Sequence, residues 1–230
     1  MVRTLTVVVF LLTVGACSSS AGSNEGGIQV IAAAKSAMGG SAWDDIQIWH
    51  ETGRTISPSG EVTRYEHWSD FQSLKTRNQS IRVSEAQYSI FDGHSAYISA
   101  NANFKPRSEL DANMMREGAY LACFGFFFPR RFSATFMLTG TRIDRGTRYD
   151  VVRVSPDGLE ATDIWINHES HLIFRMDYGQ GQFHTEFSNY RKVGAVTMPF
   201  VLKDSSIEAR TESITFEPTG STSFTMPEEQ

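Results

Sequence analysis

The chain has 230 residues, of which 40% are hydrophobic and 12% aromatic, and a formal net charge of −5. That balance argues against nucleic acid as a partner, since phosphate binding draws on surplus Lys and Arg. Two cysteines cannot make a disulfide framework, so 16 Phe, 7 Tyr and 4 Trp must fill a large aromatic interior or line a cavity.

The N-terminus reads as an export signal. Arg3 precedes the apolar run Leu5 to Val14, which two threonines interrupt, and small residues stand immediately before Cys17. Val14-Gly15-Ala16-Cys17 resembles the bacterial lipobox, in which the cysteine thiol receives a diacylglyceryl group and becomes the acylated first residue once the signal is removed. The run is about ten residues, half of the roughly twenty that cross a bilayer as a helix. A lipid anchor on Cys17 is therefore expected rather than a membrane span. Triacylation, usual in such lipoproteins, supplies the second chain that stable anchoring needs. Ser18 stands where the inner-membrane retention signal of many Gram-negative lipoproteins has Asp, so resemblance to that sorting rule favours the outer membrane, facing the periplasm.

The domain plan is a signal peptide over 1–16, the acylated cysteine and a Ser/Gly/Asn-rich tether over 17–26, and one domain over 27–230. Its roughly 200 residues suffice for one well-filled core and not for two.

Gly27 to Met38 has high helix propensity and stops at Gly39-Gly40. Short β-rich runs follow: Ile46 to Thr55, Glu61 to Asp70, Gln72 to Gln79, Ala86 to Phe91 and Ala96 to Ala100. Ser57-Pro58-Ser59-Gly60 turns the first pair and Asp92-Gly93 the last. Pro106 to Arg131 changes character, and Ser108 as cap with Asp111 three residues on predicts one or two helices. Their end, Phe124-Gly125-Phe126-Phe127-Phe128-Pro129, is unusually apolar. Cys123 beside it reads as a buried, inert thiol.

Strands resume at Ala134 to Leu138, Arg148 to Ser155, Ala161 to Asn167, Leu172 to Tyr178, Gln182 to Tyr190, Thr197 to Leu202 and Arg210 to Phe216. Pro156-Asp157-Gly158 and Asn167-His168-Glu169-Ser170 read as hairpin turns. Two helices set against a long antiparallel meander make an α+β domain, and the missing βαβ rhythm excludes a parallel sheet.

This order of elements behind a lipobox resembles the Lol-type lipoprotein carrier and localisation factor superfamily, the LolA/LolB fold. The matching pieces are Met38-Gly39-Gly40-Ser41-Ala42-Trp43, Ile46 to Gly53, Asp92-Gly93-His94-Ser95-Ala96-Tyr97, the hairpin Asp163 to Asn167 and Leu172 to Met176, Val196-Thr197-Met198-Pro199-Phe200, and the closing Ile214 to Glu217 and Phe224-Thr225-Met226-Pro227. The resemblance implies a strongly curved antiparallel half-barrel of about 11 strands, with helices covering its open, apolar side. It also implies a cavity for acyl chains of a lipid or lipoprotein. A lipobox is more like LolB, or the lipid-binding lipoproteins of mycobacteria, than the soluble LolA-type carriers.

Candidate chemistry is sparse. His168-Glu169-Ser170-His171 spaces its histidines three apart where the zinc-peptidase helix needs four, and it lies in a turn. His50, His67 and His184 fall on strands without a Cys, Asp or Glu at ligand spacing, so no metal is expected. No Gly-x-Ser-x-Gly elbow, phosphate loop, dinucleotide fingerprint or Asp-Ser/Thr-Gly motif occurs, so neither a cofactor nor an enzymatic role is expected. The aromatic segment has two readings: a helix end buried in the core, or a lid over an apolar cavity. In the second, Met114, Met115, Phe124, Phe126, Phe127 and Phe128 meet the ligand. The expected function is a membrane-anchored envelope lipoprotein that binds a hydrophobic ligand without catalysis. The alternative is an envelope scaffold with a filled core and a protein partner.

Overall fold

The computed structural model describes residues 24–82, 85–100 and 103–224. Cys17, the signal peptide, most of the tether and the closing Thr225-Met226-Pro227 lie outside the described residues.

Helix α1 (Asn24–Ala37) begins three residues earlier than expected and ends at Gly39 and Gly40, both at positive φ. Ile31, Ala34 and Met38 lie along one stripe and are buried. A short 3-10 turn follows, and its Trp43 indole N–H donates to the Met38 carbonyl at 2.9 Å. Strands β1 (Ile48–Ile56), β2 (Val62–Asp70), β3 (Thr76–Arg82), β4 (Glu85–Phe91), β5 (Ala96–Ala100) and β6 (Asn103–Pro106) form a meander. Helix α2 (Glu109–Ala122) starts on the anticipated cap: Ser108 Oγ accepts from the Asp111 N–H at 3.2 Å, and Asp111 Oδ2 accepts from the Ser108 N–H at 3.2 Å.

The second meander comprises β7 (Ala134–Asp144), β8 (Thr147–Pro156), β9 (Thr162–Asn167), β10 (Ile173–Tyr178) and β11 (Phe183–Ser188). The small hairpin β12 (Arg191–Val193) and β13 (Val196–Met198) stands apart, then β14 (Val201–Lys203) and β15 (Glu208–Glu217) re-enter the sheet. Among the described residues, thirteen strands form one antiparallel sheet in the order β6-β5-β4-β3-β2-β1-β15-β14-β11-β10-β9-β8-β7. The chain walks from β1 out to one edge, crosses to the other edge through α2, and walks back until β15 pairs with β1.

The α+β class and the antiparallel order stand, and the strongly curved half-barrel of about 11 strands is corrected. The sheet is open and not strongly curled, with β6 and β7 as its two edges. Three features hid the extra strands. β6 is four residues ending in Pro, too short to show alternation. Thr197 to Leu202 reads as one strand, but Pro199 has no N–H to give a ladder, and the chain breaks there into β13 and β14. Similarly, Gln182 to Tyr190 is cut at Asn189, which sits at φ 55.

The helices cover one face only in part: α1 packs on β7 and β8, and α2 on β4 and β5. The Phe124–Phe128 segment fills the space between them. No helix among the described residues is long and apolar enough to cross a membrane.

Candidate functional site: an apolar cavity with one acidic group

The face that the helices leave open at the centre of the sheet forms a cavity of about 450 Å³, within the usual range of small-molecule sites. Its apolar wall includes Trp49 of β1, Leu121 at the end of α2, Phe124, Met176 of β10, Phe187 of β11 and Leu202 of β14. Its polar side is formed by Glu51, Tyr65, His67 and Asn78 on β1 to β3.

The wall is fixed where α2 ends. Phe124 follows the C-cap residue and adopts the left-handed conformation at φ 49. Glycine is usual at such a place, and a bulky residue there costs roughly 1–2 kcal/mol. The cost is offset by ring burial: the Phe124 ring lies parallel to Trp49 at 6.3 Å and to Phe127 at 5.7 Å. Gly125 is required next, because a Cβ there would stand 2.3 Å from the Tyr120 ring.

The polar side arises from strand register. Antiparallel pairing sets Glu51 opposite His67, and Gly53 opposite Tyr65, so these four positions share the inner face. A Cβ on Gly53 would meet the Tyr65 ring edge at 2.8 Å and the Arg210 carbonyl at 2.5 Å. Without one, Tyr65 lies over the β1 backbone and its hydroxyl reaches Glu51 Oε1 at 2.8 Å, with Thr211 Oγ1 3.2 Å away. The carboxyl that the tyrosine holds belongs to the cavity lining.

Burial pushes the Glu51 carboxyl up to about 7, against the smaller opposing pulls of the Tyr65 hydroxyl and the Trp49 indole N–H. The indole itself makes no hydrogen bond of normal geometry. Desolvation likewise raises the Tyr65 phenol and lowers the His67 imidazolium. His67 is held on both sides: Nδ1 donates to Asn78 Oδ1, and Nε2 accepts from the Ser69 hydroxyl at 2.5 Å. Neutral imidazole suits that pairing. Among the described residues no Lys or Arg lines the cavity.

Of the residues expected at a ligand site, Phe124 alone is on this wall. Phe126, Phe127 and Phe128 are buried in the main core with Trp43 and Phe71 behind it. Met115 packs against the smaller cluster of Phe91, Ala96, Ala112 and Ala119, and Met114 is 63% exposed on the outer side of α2. Cys123 is buried, and desolvation pushes its thiol up to about 12, which makes it a poor nucleophile. His168 is in an exposed turn beside Asp150. His50 faces Trp68 and Glu217, opposite to His67. No group of three His, Cys, Asp or Glu among the described residues is placed to hold a metal ion.

Linear reading missed Glu51 and Tyr65, and weighed His67 only as a metal ligand. Alternation in β1 was the available signal, since it puts a carboxylate on the same face as Trp49, two residues away.

No family model and no curated protein matches the sequence. Among solved structures, a DUF1329 family protein from Desulfovibrio piger superposes with a TM-score of 0.56 at 12% identity, over 86% of this chain and 94% of that one. More distant superpositions include LprF from Mycobacterium bovis, with a TM-score of 0.26 at 11% identity over 90% and 98% of the two chains. MucB in complex with MucA(peri) gives 0.25 at 12% identity over 83% of this chain and 56% of that one. The chain thus shares its fold with the DUF1329 family protein, and likeness at this identity is one of fold alone.

Proposed function

We propose that this chain is a membrane-anchored envelope lipoprotein of the LolA/LolB-like kind. In this reading it binds a hydrophobic ligand, the acyl chains of a lipid or lipoprotein, without catalysing a reaction. The observation that carries the reading is the cavity: about 450 Å³ of space at the centre of the sheet beside the end of α2, walled by Trp49, Leu121, Phe124, Met176 and Phe187. A wall of this composition gains about 25 cal/mol for each Å² of apolar ligand surface it removes from water. Rigid aromatic side chains that are already packed in the empty protein lose little entropy on binding. Phe124 is the wall residue, and the Phe126–Phe128 cluster holds it in place from behind.

The chain from Ser18 onward keeps every described element, since all lie within 24–224. Native mass spectrometry of that form, incubated with a lipid extract of a bacterial envelope, should show lipid-sized adducts. The delipidated protein should take up one equivalent of the neutral fluorescent probe N-phenyl-1-naphthylamine. Preparations free of lipid and unable to take up the probe would remove the reading, and a stoichiometric protein partner recovered instead would favour an envelope scaffold.

Anchoring makes a separate prediction. Cys17→Ser removes the thiol that accepts the lipid, so metabolic labelling with an acyl-chain analogue should mark the wild type and not the variant. Equal labelling of both would overturn the role of Cys17.

A further inference from the structure

We propose that the cavity selects amphiphiles with a cationic amine head, and that Glu51 is the counter-ion which receives it. This rests on the binding reading above and extends it from the ligand's tail to its polar end.

Three observations converge on the head group. Among the described residues Glu51 is the sole acidic residue of the lining, and it is buried, with 8% of the residue exposed. The groups that act on the carboxyl, the Tyr65 hydroxyl at 2.8 Å and the Trp49 indole N–H, are both neutral donors. The lining contains no Lys or Arg among the described residues, so the carboxylate has no counter-ion there.

A buried carboxylate without a cation is expensive, because desolvation is not repaid by a partner. Glu51 therefore holds its proton up to about pH 7. An ammonium head entering the cavity brings a positive charge to the Glu51 carboxylate and donates to it, while the alkyl chain covers Trp49, Phe124 and Met176. An anionic head meets the opposite situation, a like charge and no donor stronger than a neutral side chain. The other titratable groups that face Glu51 do not reverse this. Tyr65 and His67 of β2 are both kept neutral by burial, and Glu212, behind Tyr65, adds negative charge. His50, which also acts on His67, lies on the opposite face of β1. Leu121, Ala122 and Phe124, from the end of α2, bring no charge.

The test is displacement of N-phenyl-1-naphthylamine from the chain beginning at Ser18 by dodecylammonium, dodecanoate and uncharged dodecanol, at about pH 8.5 where Glu51 is ionised. Dodecylammonium should displace the probe at roughly tenfold lower concentration than dodecanoate. Uncharged dodecanol should fall between the two in the wild type, and Glu51→Gln should erase the preference of amine over carboxylate. Ala209→Lys, which places a cation in the lining beside Thr55, should turn the preference toward dodecanoate. The second variant guards against a local collapse at position 51. Dodecanoate binding as well as the amine in the wild type, or a preference that survives Glu51→Gln, would overturn the proposal while leaving hydrophobic binding intact. A protein that takes up no probe at all would overturn the binding reading itself, and the head-group assignment with it.

Discussion

Phe127→Asp should leave no folded domain at room temperature. The Phe127 ring is 3% exposed and makes edge contacts with Trp43 at 5.4 Å and Phe126 at 5.0 Å. It also stacks on Phe124, the residue that walls the cavity. Removing such a ring costs about 3–5 kcal/mol, and placing an unpaired carboxylate in the space adds several more. The sum is comparable with the whole stability of an ordinary domain, about 5–15 kcal/mol. Phe127→Leu keeps an apolar side chain and should cost only a few kcal/mol, by cavity formation. Met114→Asp, on the exposed side of α2, should stay within about 0.5 kcal/mol of the wild type. Circular dichroism melts of the three variants check this order. A Phe127→Asp protein that melts normally would show that the segment is not core.

The second large effect is on stability as a function of pH. Glu51 in the folded protein binds its proton up to about pH 7, against an ordinary value of 4.5. Between those values the folded state holds more protons than the unfolded one, so Glu51 makes stability fall as pH rises. Its contribution is complete below pH 4.5 and lost above about pH 7. The difference corresponds to about 3 kcal/mol. His67 works in the opposite direction, since its lowered imidazole favours the folded state above pH 6.5 and weakens it in acid. Comparing wild type with Glu51→Gln cancels the histidine. Gln retains an oxygen for the Tyr65 hydroxyl and has no charge to bury. Urea unfolding should therefore show the variant gaining about 2–3 kcal/mol on the wild type between about pH 5 and pH 8.5. An unchanged gap between the two proteins at both ends would contradict the burial of an ionisable carboxyl at this position.

How much of this was legible in the chain depended on whether the signal was local. The Ser108–Asp111 cap, the Gly39-Gly40 stop and the hairpin turns at Asp92-Gly93 and Pro156-Asp157-Gly158 act over three or four residues, and each stands where expected. The sheet's width depended on β6 and β14, strands of four and three residues. Alternation cannot register in so few residues. The aromatic run Phe124 to Phe128 was recognisable as core or cavity wall, but composition could not divide it. One left-handed residue turns Phe124 toward the cavity, and the following 3-10 turn sends Phe126 and Phe127 into the core. Glu51, Tyr65 and His67 are assembled by the β1–β2 register. Fourteen residues separate Glu51 from the tyrosine that holds it, so no short motif could announce them.

The most direct measurement is a titration of N-phenyl-1-naphthylamine into Ala122→Trp. Ala122 lines the cavity at the end of α2 without belonging to the buried core, so an indole at that position fills space that a ligand would need. Loss of probe binding by roughly tenfold or more, with a melting temperature within a few degrees of the wild type, is the result the account predicts. Probe affinity unchanged in a folded Ala122→Trp protein would mean that the ligand does not occupy this cavity.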